Sequence, residues 1–396
     1  PSAESVSVPS RSKITNCGRL PMNGITPPLW LTDSGTGGRP WRTTVREVVS
    51  AQHDGAVPRR GSRYHGDRAA DPGMLDFAVN VRHRQPPDWL LARLAARLPD
   101  LAGYPSVADQ QAAVRSVARR HGVPEDHVLL LAGGSEGFAL LPALRPRLVA
   151  LIVPSYTEPE AVLTAAGVAL HQVPLTPPFR LTDAISARIP GAADMVVLGN
   201  PTNPTGVLHS RESILALRRD GRLVVIDEAF ADAVPGEPES VASVGAPDAL
   251  VLRSLTKTWA LAGLRAGYAL GAPEVLARLS AARPHWPLGT LQLEAIAACC
   301  EPGAVSAAEA DARRLAVLRH EMAGALAGLG LEVIGGSAPF IAFAVPDAVF
   351  MRKHLRTRGI AVRRCDTFVG MGTNHLRVAV RAEWPALVSA LAEVLR

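Results

Sequence analysis

Lys257 is one of only three lysines in a chain with 42 basic residues, the others being Lys13 and Lys353. An apolar run, Ala249 to Leu252, leads to it through Ser254, and Arg265 follows eight residues later in a glycine-punctuated segment. Among side chains, an amine is what forms a Schiff base with a carbonyl. A hydroxyl and a planar guanidinium are donors suited to a phosphate dianion. The stretch 251–268 therefore sets a nucleophilic amine beside a candidate anion site.

Other polar residues also follow directly on apolar runs. Gly133, Gly134, Ser135 and Glu136 open a glycine-rich segment where a helix N-terminus favours an anion, although many loops of this composition bind nothing. Asp227 closes LeuValValIleAsp, where a carboxylate is costly unless paired, and helix capping or an arginine partner would also explain it. Tyr156 follows ValProSer and is placed to stack on a flat ring or simply to pack. Asn203 lies in AsnProThrAsnProThrGly, a string that also makes a turn. Each bland reading holds singly. Together they leave unexplained why amine, phosphate donors, acid, aromatic and amide all gather at strand ends. Pyridoxal 5'-phosphate needs that set: its aldehyde wants a lysine, its phosphate wants donors and its pyridinium wants a carboxylate.

The elements that must position these residues are six short β-rich runs, at 127–132, 148–153, 168–173, 195–199, 223–227 and 249–254, alternating with helical segments. Continuously apolar runs suit strands covered on both faces, which predicts an α/β fold with a mostly parallel sheet whose ligands bind beyond the strand carboxyl ends. A helix is expected over Trp89–Leu98 and another over Asp109–His121, ending at Gly122 with an apolar face of Val114, Val117 and Ala118. After Pro287 the pattern turns helical, then gives strands near 340–345, 360–363 and 375–380 and a last helix from Pro385. The expected division is a flexible basic tail (1–60) with one short helix near Arg42–Ser50, an arm joining the small domain (61–100), a large domain binding the cofactor (101–286) and a small α+β domain (287–396).

Composition bounds the rest. At 396 residues and 47% hydrophobic content the chain can fill a substantial core. The net charge of +6 is concentrated in residues 1–60, which carry eight basic and four acidic side chains, so the body is nearly neutral and nucleic acid is not an expected partner. The tail lacks the two periodic helices of a DNA-reading unit. Four cysteines show no metal-ligand spacing, so no metal is expected. No apolar run spans a membrane and no secretory signal is visible, hence a cytoplasmic expectation.

Residues 63–396 resemble the pyridoxal-phosphate-dependent aminotransferase class I/II superfamily, fold type I, through AsnProThrAsnProThrGly, AspGluAlaPhe and SerLeuThrLysThrTrpAlaLeuAlaGlyLeuArg in that order and spacing. Within it the chain is most similar to the branch of cobalamin-biosynthetic threonine-phosphate decarboxylases and histidinol-phosphate aminotransferases. The resemblance implies a seven-stranded sheet and makes Lys257 the cofactor-bearing lysine and proton carrier, with Asp227 on the pyridinium nitrogen, Asn203 on the ring oxygen and Tyr156 stacked on the ring. It gives the cofactor phosphate to groups near Gly134, Ser135 and Glu136, with Ser254 and Arg265. It also implies a homodimer in which Tyr104 crosses to the partner site. Arg377 matches a substrate-carboxylate arginine, Arg363 a substrate-phosphate arginine, and His65 and Asn80 arm positions over the substrate. Two departures stand out: Phe230 replaces the tyrosine usual in the aminotransferases, and ArgHisArgGlnPro (82–86) replaces the usual arm sequence, where Arg82 and Arg84 read first as an exposed arginine pair and second as replacement phosphate ligands. The first expectation is L-threonine-O-3-phosphate decarboxylation; the alternative is amino transfer from histidinol phosphate to 2-oxoglutarate.

Overall fold

The computed structural model describes residues 69–81 and 83–395. The expected tail and its helix, together with His65 and Arg82, lie outside the described residues. The first element, β1 (Leu75–Asp76), pairs in parallel with Ile360–Ala361 of the C-terminal region.

The large sheet holds seven strands: β2 (Val128–Leu131), β3 (Leu148–Val153), β4 (Ala169–Pro174), β5 (Met195–Gly199), β6 (Leu223–Asp227), β7 (Ala249–Ser254) and β8 (Gly267–Leu270). Their spatial order is β2-β8-β7-β6-β5-β3-β4. β8 runs antiparallel to both its neighbours, while the pairs from β7 to β4 are parallel. β8 is the strand that the apolar runs did not reveal, because it is four residues long and begins with glycine. That glycine is required: a Cβ on Gly267 would stand 2.6 Å from the Arg253 carbonyl oxygen and 3.0 Å from the Gly134 nitrogen, both backbone atoms that cannot swing aside.

The continuous apolar runs are explained by burial on two faces. Val196, Leu198, Val224, Ile226 and Val251 enter one core cluster, whereas Met195, Val197, Val225, Leu250 and Leu252 enter another across the sheet. This is the period-two alternation of a strand, with each side chain contributing about 1.5–3 kcal/mol when fully buried. The helix Val107–His121 brings Ala113, Val117 and Ala118 onto the first cluster and ends at Gly122 with φ 65°. Val114 packs at the edge of that cluster rather than within it.

Packing moves the domain boundary expected at 286. The helix Thr290–Cys299 buries Leu293, Ala295, Ile296 and Ala298 in the large-sheet core. The next helix, Pro302–Gly328, gives Ala304 and Ala308 to that core but Leu315, Met322 and Leu326 to the C-terminal one. The two cores therefore divide inside one helix, because apolar residues on successive turns meet different partners. The arm divides as well: Phe77 packs in the C-terminal core and Leu90 in the large one.

The C-terminal sheet sets β9 (Phe340–Ala344) and β11 (Arg363–Arg364) on either side of β12 (His375–Ala379), all antiparallel, with β10 (Ile360–Ala361) pairing β1. Among the described residues no helix is long and apolar enough to cross a membrane.

Candidate active site

The carboxyl ends of the parallel strands and the inner edge of the C-terminal sheet open on one cavity of about 480 Å³. Asn80, Gly134, Ser135, Tyr156, Asn203, Asp227, Ser254, Lys257, Arg265, Arg363 and Arg377 all line it. Residues spread over some 300 positions are thus brought together by strand ends, the place where helix-covered parallel sheets leave backbone and side chains open to a ligand.

At one end is an anion corner. Arg265 donates from Nη2 to Ser135 Oγ at 2.7 Å, and Ser254 Oγ lies 2.7 Å from Thr256 Oγ1. A Cβ on Gly133 would come within 2.9 Å of the Arg265 guanidinium, so glycine there leaves the charged fork its room. Arg265 itself holds φ 64°, a left-handed conformation costing about 1–2 kcal/mol for a residue with a Cβ. Its carbonyl takes a hydrogen bond from Gln292 Nε2 at 2.9 Å, which helps fix that turn. Thr256 belongs to this corner and was missed in the sequence; its position two residues beyond Ser254 was the available signal.

Next come the amine and the acid. Burial drives the Lys257 ammonium down to about 8, helped by the positive fields of Arg377 and Arg265 and opposed by Asp227. Burial likewise pushes the Asp227 carboxyl up to about 6, against the Ala229 N–H, which donates to Oδ1 at 3.1 Å, and against the charge of Lys257. The amine is therefore partly neutral near pH 7, the form that attacks a carbonyl. The acid is poised to share a proton with a heterocyclic nitrogen. Tyr156 stands beside them, tilted 50° to Phe138 with the ring centres 6.0 Å apart.

The far wall carries two buried arginines. Arg363 on β11 is paired in register with Arg377 on β12. Arg377 donates to Asn203 Oδ1 at 2.5 Å and to the Ala78 carbonyl at 2.7 Å, and its buried Nε has no partner among the described residues. Burial brings Arg377 down to about 9, well above neutrality, so its charge persists. Arg363 donates to the Arg364 carbonyl and to Thr367 Oγ1, and lies 4.8 Å over the Phe368 ring.

Several expected residues do not reach the cavity. Glu136 does not line it: its backbone N–H serves the Gly133 carbonyl, and its carboxylate is taken by Arg283 and the Ala132 N–H. Tyr104 is 75% exposed and stacks on Trp286 at 4.0 Å, outside the cavity of its own chain. Arg84 reaches outward to Glu383 at 3.6 Å.

Residues 72–392 match the family described as aminotransferase class I and II. The chain belongs to that family. A Mycobacterium tuberculosis protein named histidinol-phosphate aminotransferase is 60% identical over 336 residues, covering 85% of this chain and 92% of the relative. The threonine-phosphate decarboxylase of Salmonella typhimurium is 28% identical over 334 residues, covering 81% and 91%. The fold is that of the histidinol-phosphate aminotransferase from Sinorhizobium meliloti, solved in complex with pyridoxal-5'-phosphate, with a TM-score of 0.73 at 19% identity over 90% of this chain and 98% of that one.

Members of the aminotransferase class I and II family depend on pyridoxal phosphate, and the site fits that group. The anion corner at Gly134, Ser135, Ser254, Thr256 and Arg265 suits its phosphate, Lys257 its aldehyde and Asp227 its ring nitrogen. Asn203 spends Oδ1 on Arg377, which leaves its NH2, a donor of the kind a ring oxygen accepts. The chain is thus an enzyme of the transaminase or decarboxylase kind.

Proposed function

We propose that the chain is an aminotransferase for a phosphorylated amine of the histidinol-phosphate kind, with a carboxylate-bearing keto acid as amino acceptor. The observation that carries this reading is the cross-strand pair Arg363 and Arg377, two buried guanidiniums directly opposite each other in the cavity that holds Lys257. Like charges facing across a ladder repel, and an anion bound beside them offsets that cost. A substrate phosphate and an acceptor carboxylate both answer that demand. Threonine phosphate, placed first from the sequence, answers it too. The 60% identity to a protein named histidinol-phosphate aminotransferase, against 28% to the decarboxylase, favours amino transfer. One observation favours decarboxylation: Phe230, where the aminotransferases usually have tyrosine, presents a ring without a hydroxyl to the cavity.

Pyridoxal phosphate, when bound, supplies an electron sink for a carbanion at the substrate Cα. The chain supplies the rest. Arg265, Ser135, Ser254 and Thr256 would hold the phosphate, Tyr156 would lie against the ring and Asp227 would keep a proton at the ring nitrogen. Lys257 would hold the cofactor through its amine and, when that amine is free, would take the proton at the substrate Cα and return one. Arg377 and Arg363 orient the substrate, and orientation decides whether the Cα–H or the Cα–carboxylate bond is the one activated. The functional unit in this reading is a homodimer, with exposed Tyr104 reaching the partner's cofactor phosphate.

Purified protein given histidinol phosphate and 2-oxoglutarate should form glutamate without releasing CO2. Release of CO2 from L-threonine O-3-phosphate with no keto-acid requirement would replace transamination by decarboxylation. Arg363→Ala should lower kcat/KM for the phosphorylated amine about 100-fold, the scale of a lost charge-assisted contact of roughly 2–3 kcal/mol. The loss should be much smaller for the dephosphorylated amine, and an equal loss for both would remove Arg363 from phosphate binding.

A further inference from the structure

Behind the cavity lies a second set of charges that the chemistry above does not use. Arg253 is 1% exposed and joins three carboxylates: Nη1 donates to Glu228 at 3.0 Å and to Glu237 at 2.6 Å, and Nη2 donates to Asp232. Arg120, from the helix Val107–His121, donates to Asp232 at 2.8 Å and to Glu237 at 3.2 Å. Glu228 is fully buried and also accepts from Ser240 Oγ at 2.6 Å and the Val241 N–H at 2.8 Å. Tyr268 of β8, bonded to His121 at 2.8 Å, and Cys300 close the cluster.

The position of this cluster in the chain is what gives it a consequence. Glu228 directly follows Asp227, and Arg253 directly precedes Ser254. The Glu228 N–H donates to the Leu252 carbonyl at 2.9 Å, and Leu252 is the register partner of Asp227. The Arg253 carbonyl is the atom a Cβ on Gly267 would strike, so the backbone at Arg253 is packed against the start of the phosphate corner. A buried ion cluster is weak support for stability, because desolvation offsets its attraction. A planar fork engaging three carboxylates does, however, fix geometry in a way a point charge cannot.

We propose that Glu228 and Arg253 are positioning residues for the cofactor: their ion pair locks the ends of β6 and β7, and the Glu228 charge adds to the burial that shifts the pH range over which Asp227 would hold the ring nitrogen. Asp227 is faced by Glu228 on its own strand end and by Lys257 from the segment after β7, while Arg265, Arg363 and Arg377 are the other charged groups of the cavity. Glu228 is the like charge among them. With its carboxylate made neutral, Asp227 ionises more readily, and the pair with the ring nitrogen survives to lower pH.

Two variants test this by cofactor binding, read as the visible absorption of the lysine-bound cofactor, without substrate. Glu228→Gln keeps the shape and removes the charge; the acid-side midpoint of cofactor binding should move down by about half a pH unit. Arg253→Lys keeps the charge and loses the fork; affinity at neutral pH should fall about tenfold, the usual scale for losing an outer partner of a bound group. An unmoved midpoint in the first, or unchanged affinity in the second, overturns the proposal. Should Arg253→Lys fail to fold, Glu228→Gln decides alone. The proposal rests on the cofactor and not on the substrate, so a different substrate leaves it standing. Failure of the unsubstituted protein to bind the cofactor would sink the function reading instead.

Discussion

Lys257→Ala should leave a folded protein that shows no visible absorption from lysine-bound cofactor and turns over at least ~10⁴-fold more slowly, the upper scale of a lost general acid–base group. The physical reason lies in the environment. Burial and two nearby guanidiniums bring the Lys257 amine down to about 8, so it is a nucleophile at a pH where an exposed lysine is almost wholly charged. Lys257→Arg is the informative control, since it keeps a positive charge but cannot bond covalently to an aldehyde; it should be as inactive as the alanine variant. Thermal stability should not fall in Lys257→Ala, because removing a buried ammonium removes a desolvation cost. The same chemistry sets a pH dependence. Capture of added cofactor by the cofactor-free protein should quicken as pH rises through about 8, as the amine loses its proton, and then level off. Stopped-flow absorbance across that range measures it. A capture rate independent of pH would mean that the amine is not the group that limits attack.

The second large effect is expected at Asp227. Asp227→Asn retains the shape and can still accept from the Ala229 N–H, but has no charge with which to hold a proton on a ring nitrogen. Removing one electrostatic partner of a developing charge typically costs 10²–10³-fold in kcat, and the upper end, about 10³-fold, is expected here because the site is buried. The variant should still attach cofactor through Lys257, so its absorption persists while turnover is lost. That separates it from Lys257→Ala, in which both disappear. Steady-state kcat on cofactor-saturated protein is the measurement. A loss smaller than tenfold would show that Asp227 serves the fold rather than the ring.

Much of this site was readable in the sequence, for a local reason. Each of Asp227, Ser254 and Lys257 ends or closely follows a continuous apolar run, and a parallel strand both shows itself by such a run and delivers the next polar residues to its carboxyl end. The rarity of lysine did the rest, since an arginine cannot replace an amine in bonding to an aldehyde. The glycines at 133 and 134 were legible as a candidate phosphate corner only once Ser254 and Arg265 were set beside them.

Other features depend on pairings between distant residues, which local patterns do not carry. β8 escaped notice because four residues beginning with glycine make no apolar run, yet it lies between β2 and β7 and seats Gly267 against Arg253. Glu136 looked like a phosphate neighbour from its place in the glycine-rich segment, until Arg283, far along the chain, claimed its carboxylate. The boundary expected before the helix Thr290–Cys299 moved into the following helix because core membership is a matter of which surface a side chain meets.

What the sequence by itself determined is the cofactor chemistry: a lysine, an acid and a candidate anion corner, each specified by residue type at a strand end. What only the tertiary structure decided is how the two buried arginines and the supporting charges are arranged. Arg363 and Arg377 are 14 positions apart and became a facing pair through the register of β11 on β12. Glu228 and Arg253 are 25 apart and met through the neighbouring ends of β6 and β7. Residue type sets which reactions a group can perform, but register and packing, summed over many distant contacts, set which groups it performs them with.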